Sequence, residues 1–230
     1  MKKTLIKITI ALVLGFFAAR TALAQGFVNL NFEQATIIPA STNPELQFYI
    51  ATTNALPGWT VLYGANQQSL ITFNAPALGT TWVYLWATNG EQLSGNYSVL
   101  LQGGGTASAA SISQTGLVPA NAESLLFIGV GSASDPNASA LQLSLGGQDL
   151  SFVVISNELN YTLYGADVSA FAGQMEALTF SALEVSTGYN DWNIDNIQFS
   201  TQPVPEPSEL ALVALGALFL GFRRWRNSSR

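Results

Sequence analysis

From Phe27 to Ser200 the chain repeats one device: a short run rich in β-branched and aromatic residues, closed by turn residues. The runs are Phe27–Phe32, Gln47–Ala51, Trp59–Tyr63, Leu70–Phe73, Trp82–Trp86, Tyr97–Gln102 and Ala107–Gln114 in the first half. Leu125–Val130, Leu141–Leu145, Leu150–Ile155, Tyr161–Tyr164, Glu176–Val185 and Ile194–Ser200 follow. Between them stand Pro57-Gly58, Thr88-Asn89-Gly90, Gly103-Gly104-Gly105, Asp135-Pro136-Asn137 and Gly146-Gly147. About a dozen strands with such punctuation predict an all-β, jelly-roll-like antiparallel β-sandwich. Gly146-Gly147, between two apolar runs, predicts a tight hairpin, because glycine takes φ > 0 at both turn positions without steric cost. Asp167–Ala172 alone reads as a helical turn, with Asp167 or Ser169 as its cap. The sandwich is expected over residues 25–202, with no internal repeat and no second domain boundary.

Charge is distributed unevenly. All eight Lys and Arg lie in residues 1–20 or 223–230, so Thr21 to Phe222 carries no cation, and the chain has no His and no Cys. Twelve of the fourteen acids precede the last 26 residues. A cation-free domain cannot neutralise phosphate backbones, which speaks against nucleic acid. It also lacks the bases and nucleophiles of Ser-His-Asp, Cys-His and Lys chemistry, and the His and Cys ligands of zinc and copper sites. Disulfides are excluded, but at about 180 residues one domain buries enough surface without them.

The two ends read as address signals. Lys2, Lys3 and Lys7 precede the apolar stretch Ile8–Ala19, and Ala22-Leu23-Ala24 supplies small residues for cleavage before Gln25. These are the parts of a secretory signal peptide over residues 1–24; an uncleaved anchor is the alternative. At the other end, residues 203–230, Val204-Pro205-Glu206-Pro207 forms a stiff break. An apolar run to Phe222 follows (a membrane helix over 209–222), then Arg223, Arg224 and Arg226. The arginines mark a cytoplasmic end. From Pro207 to Phe222 such a helix reaches roughly 24 Å, short of a hydrocarbon core of about 30 Å. The order of these three elements resembles the PEP-CTERM sorting signal of exported bacterial proteins. That resemblance implies export, membrane retention, processing near Pro205-Glu206-Pro207 by an exosortase, and a final place at the cell surface or in the extracellular matrix. A plain C-terminal anchor and a buried core helix are the alternatives.

Three short motifs of the domain resemble galactose-binding-like jelly rolls, a group with many carbohydrate-binding modules. They are Asn29-Leu30-Asn31-Phe32-Glu33, Leu56-Pro57-Gly58-Trp59 and Trp192-Asn193-Ile194-Asp195-Asn196-Ile197. The resemblance implies a first and a last strand meeting beside a structural calcium ion, with Glu33 and Asp195 as ligands and Asp191 nearby. Calcium takes six to eight oxygens, and unpaired acids supply some of them. The alternative is that Asp195 caps backbone donors and Glu33 sits on a solvated edge.

Trp82, Tyr84 and Trp86 alternate with Val83 and Leu85, so in a strand the three rings share one face. With Trp192 they are candidates for stacking on neutral sugar; the alternative is that some of them fill the core. Trp59 is expected in the core. Three functions follow. The first is an exported structural protein of the surface or matrix, without catalysis. The second is a carbohydrate-binding module for neutral polysaccharide. The third is a glycoside hydrolase built on two carboxylates about 5–10 Å apart.

Overall fold

Strands with one apolar side need a second layer to cover it, and the computed structural model has two sheets. It describes residues 25–75, 81–87, 92–104, 108–134, 140–185 and 188–204. The expected signal peptide, with Ala22 and Ala24, lies outside those residues, as does the tail from Pro205 onward. Among the described residues no helix is long and apolar enough to cross a membrane.

The larger sheet has eight strands. From edge to edge they are β1 (Tyr49–Ala51), β4 (Leu70–Phe73), β5 (Trp82–Ala87), β6 (Tyr97–Gly104), β14 (Tyr189–Ser200), β8 (Ser124–Ala133), β12 (Thr162–Asp167) and β11 (Phe152–Asn157). The smaller has six: β10 (Gln148–Leu150), β9 (Leu141–Leu145), β13 (Met175–Ala182), β7 (Ala110–Leu117), β2 (Thr60–Tyr63) and β3 (Asn66–Gln68). A single helical turn, α1 (Thr52–Ala55), and two 3-10 turns at Pro44–Leu46 and Ser169–Phe171 complete the described elements. The architecture is an all-β sandwich. One pairing departs from the antiparallel expectation, since β4 and β5 run parallel.

The inner faces meet in one core. Val83 and Leu85 of β5, Val99 and Leu101 of β6, Phe127 of β8 and Ile194 of β14 join Val61, Ile112, Leu143, Leu178 and Phe180 of the other sheet. Each such side chain, fully buried, contributes about 1.5–3 kcal/mol. At one end the core is aromatic: Phe127 lies 5.1 Å from Tyr164, 5.2 Å from Phe180 and 5.5 Å from Phe152, ring centre to ring centre.

Two local expectations are met, the second in part. Gly146 and Gly147, at φ 60° and 76°, form the two-residue turn that pairs Leu145 with Gln148. The expected helical turn is a 3-10 turn at Ser169–Phe171 whose N-cap is Val168, neither Asp167 nor Ser169; Asp167, one residue earlier, accepts from the Ser169 N–H and hydroxyl at 2.8 and 2.7 Å.

The segment Phe27–Phe32 is not the expected strand. Asn29 and Phe32 take left-handed backbone conformations, at φ 50° and 56°, and the chain turns from Leu30 through Gln34. A side chain replaces strand pairing there. Gln114 of β7 accepts from Val28 N–H at 2.6 Å and donates back to Val28 C=O at 3.0 Å. The Trp59 indole N–H donates to Asn29 C=O at 3.1 Å, and Asn29 donates to Pro57 C=O at 3.3 Å. Ile197 N–H donates to Leu30 C=O at 2.9 Å. The three motifs, far apart in sequence, thus close on one another.

Candidate functional site

β14 carries a bulge between Asp195 and Gln198, with Asn196 at φ 49°. A bulge re-aims the side chains beside it. Here Asp195 is turned into a small cavity lined by Asn31, Glu33, Ser94, Gly95, Asp195 and Asn196, about 110 Å³ in volume. The two acids named from the sequence therefore line the same cavity, and each is held differently. Glu33 is already engaged: Oε1 accepts from the Asn96 and Tyr97 N–H groups at 2.7 and 3.1 Å, and Oε2 from Asn96 Nδ2 at 2.7 Å. Gly95, at φ 59°, belongs to that contact, since a Cβ there would run into the Glu33 carboxylate.

Asp195 is only 1% exposed. Its Oδ1 accepts from Asn196 N–H at 2.6 Å, while Oδ2 is buried with no hydrogen-bond partner among the described residues. Burial, opposed by bonds from the Asn196 and Ser94 backbones and reinforced by the nearby Glu33 charge, pushes its carboxyl up to about 7. Nothing between Thr21 and Phe222 can form a salt bridge with it. Three ways remain to satisfy such a carboxylate: a proton, a water or a cation. The volume is well below the roughly 300–1,000 Å³ of organic-ligand pockets, so a sugar ring does not fit. The site has room for an ion with a few waters. Among the described residues no three acids cluster, so a cation here would draw its other oxygens from amides, hydroxyls and backbone carbonyls.

The second set of named residues lies on the outer face of the eight-stranded sheet. Trp82, Tyr84 and Trp86 project there, on the side opposite the core residues Val83 and Leu85. Trp82 and Trp86 are partly exposed, whereas Tyr84 is completely buried. Tyr84 is not an open ring face. Its hydroxyl donates to Gln102 Oε1 at 2.7 Å, and its ring stacks on Trp86 with centres 6.3 Å apart. Trp192 is also misplaced by the expectation. It is one of the core residues of β14, 7% exposed, with its ring 5.9 Å from Tyr164 and 6.4 Å from Phe152. Period-2 alternation is the reason: Trp192 and Ile194 point inward, so Asp191, Asn193 and Asp195 point outward.

That outward row is polar. Asp191 is in register with Gln102 of β6, and Asn193 with Leu100. Burial pushes the Asp191 carboxyl up to about 6, against a lowering hydrogen bond from Gln102. Tyr84, Gln102 and Asp191 thus form one chain of side chains across three strands. Ser98 of β6, on the same face, is completely buried, and its hydroxyl has no partner among the described residues. Asp191 and Asp195 lie four residues apart on one strand, about 13 Å at 3.3 Å per residue, beyond a hydrolytic carboxylate pair.

Sequence reasoning missed the aromatic corner beside Trp82. Tyr49 of β1 and Tyr63 of β2 bring their rings to 6.3 and 5.4 Å from Trp82, and Phe48 lies 4.6 Å from Tyr49. The Trp82 indole N–H donates to Thr72 Oγ1 at 3.1 Å, and the Tyr63 hydroxyl accepts from Val83 N–H at 3.2 Å. Burial raises the Tyr63 hydroxyl above its ordinary range. These rings come from three different short runs, so no local pattern joins them.

No protein-family model matches the chain, and no curated protein matches it. Among solved structures it is similar to TmCBM61, a carbohydrate-binding module determined in complex with β-1,4-galactotriose. The two share 15% identity over 78% of this chain and 100% of the other, with a TM-score of 0.43. At that identity and score the likeness carries nothing about ligand or site.

Proposed function

We propose that this chain is an exported β-sandwich protein that binds neutral polysaccharide on the outer face of its eight-stranded sheet. The observation that supports this reading is the juxtaposition, on one face, of partly exposed Trp82 and Trp86 with the half-buried carboxylate of Asp191, which the buried Gln102 and Asn193 flank. Flat rings cover the apolar faces of pyranoses, and carboxylate and amide oxygens accept from sugar hydroxyls. A domain without Lys, Arg or His cannot pair with sulfates or uronic acids, and its acids repel them. The ligand is therefore uncharged. On an array of purified glycans, the protein is expected to be retained by neutral polymers and not by sulfated or uronic ones in the absence of calcium. Retention by anionic polymers without calcium would overturn this reading. Failure on every glycan would leave a purely structural surface or matrix protein.

In this reading a structural calcium ion occupies the Glu33–Asp195 cavity. The buried, unpartnered Oδ2 of Asp195 supports it. Glu33 would ligate with the lone pairs its three hydrogen bonds leave free, and Asn31, Ser94 and Asn196 would contribute the further oxygens. The ion would brace the bulge of β14 against the 29–34 turn and the chain around Gly95. It would take no part in sugar recognition.

Export would follow the signal peptide and the tail, with an exosortase acting near Pro205-Glu206-Pro207 and the helix over 209–222 holding the precursor in the membrane. Intact mass of the surface protein is expected to lack the residues after about Pro207. Glu206→Ala is expected to leave a membrane-held precursor, and a mature wild-type protein that keeps Arg230 would contradict this route.

A further inference from the structure

We propose that Asn160 is an acceptor for N-linked glycan, a reading that rests on the export of the chain. The segment Glu158-Leu159-Asn160-Tyr161-Thr162 contains the Asn-x-Thr acceptor pattern, which requires a surface location in an exported protein. The fold provides it. β11 and β12 form a hairpin in which Asn157 pairs with Thr162, and the four residues between them form its tip. One backbone bond closes that tip, Glu158 N–H to Tyr161 C=O at 2.9 Å, and one exposed side-chain bond, the Thr162 hydroxyl donating to Asn157 Oδ1 at 3.1 Å, so it opens locally at small cost. Asn160 is exposed, and its side-chain amide makes no hydrogen bond to another described residue.

Two features of the tip have no folding reason. Leu159 is 98% exposed, on a hairpin where a polar turn residue would be expected. An oligosaccharide on the adjacent residue would shield it. Glu158 stands two residues before the acceptor and presents a free-standing carboxylate, which a cationic transferase groove can pair with. A competing pattern in the described chain, Asn96-Tyr97-Ser98, is structurally occupied. The Asn96 amide donates to Glu33 Oε2 at 2.7 Å, and Ser98 is completely buried. Asn137-Ala138-Ser139 and Asn227-Ser228-Ser229 lie outside the described residues.

The donor is a polyprenyl-diphosphate-linked oligosaccharide. The Asn160 Nδ2 attacks the anomeric carbon and forms the C–N bond. The bond from that carbon to the diphosphate oxygen breaks, the polyprenyl diphosphate leaves with the electron pair, and the amide gives up one proton. No oxidant or reductant is needed.

The test uses the purified full chain with a bacterial oligosaccharyltransferase, a polyprenyl-diphosphate heptasaccharide, and a control acceptor peptide in the same reaction. Intact mass and peptide mapping are expected to show one heptasaccharide on Asn160. Asn160→Gln and Thr162→Val should each abolish it, and Glu158→Gln should lower its initial rate at least tenfold. An unmodified wild type beside a modified control peptide would overturn the proposal. So would mapping of the sugar to Asn96, Asn137 or Asn227 with Asn160 bare, or a sugar load unchanged in Asn160→Gln. Because the reaction is run in solution, it does not depend on export. Protease accessibility on intact cells reads export separately, so either reading can fail alone.

Discussion

In the calcium-free protein at pH 8, Asp195→Asn is expected to raise the melting temperature by roughly 2–12 °C, and to remove the further rise that calcium gives the wild type. The two effects have one cause. A buried carboxylate with an unpartnered oxygen destabilises the folded state when it is charged, by about 1–3 kcal/mol or more, and each kcal/mol shifts a domain of this size by about 2–4 °C. The sign follows from the proton. Asp195 holds its proton up to about pH 7 in the fold and only to about 4 when unfolded. Between those values the folded state binds more protons, so apo stability falls as pH rises through the window. Asp191, pushed up to about 6, adds to the same slope. Calcium restores stability above the window by replacing the proton. Below about pH 7 it must compete with that proton, so its apparent affinity drops by up to tenfold per pH unit. Calorimetry from pH 5 to 8 in chelator, calcium and magnesium at matched ionic strength reads all of this. Equal effects of calcium and magnesium, or a calcium-specific rise that survives in Asp195→Asn, would remove the site.

Trp59→Ala is expected to cost about 3–5 kcal/mol, a fall in melting temperature of roughly 6–20 °C. The ring is 5% exposed, lies 5.8 Å from Phe32, and donates its N–H to Asn29 C=O. Its loss leaves a cavity and an unsatisfied carbonyl, and frees the turn that carries Glu33. Trp59→Phe keeps part of the packing and loses the hydrogen bond, so a drop of about 1 kcal/mol is expected. Chemical denaturation measures both. A Trp59→Ala loss below about 1 kcal/mol would show that the three motifs are not joined through this ring.

The strands were readable because period-2 alternation is a local signal. β3 was not: Asn66–Gln68 has no apolar residue, and it pairs only because Val61–Tyr63 of β2 offers an edge. The turn at 29–34 was read as a strand because hydrophobicity does not report a left-handed backbone at Phe32. The parallel β4–β5 pair needs a long-range choice that neither run contains. For the site, Glu33 and Asp195 were paired through a family resemblance, and no spacing in the chain would have joined them. Alternation placed Trp82, Tyr84 and Trp86 on one face correctly, but alternation does not say what covers a face, and Tyr84 proved buried. The aromatic character of Trp192 points to a sugar face, but its phase on β14, shared with the inward Ile194, places it in the core.

The most direct test of glycan binding by the outer face is retention of Trp82→Ala/Trp86→Ala on a neutral glycan that holds the wild type. Each ring contributes about 0.5–1.5 kcal/mol beyond its buried area, so the pair is expected to weaken Kd by at least tenfold. Near-ultraviolet circular dichroism accompanies the measurement, because Trp82 also packs on Tyr49 and Tyr63. A folded double variant that has lost retention is the predicted result; a folded double variant that binds as the wild type does would contradict the account.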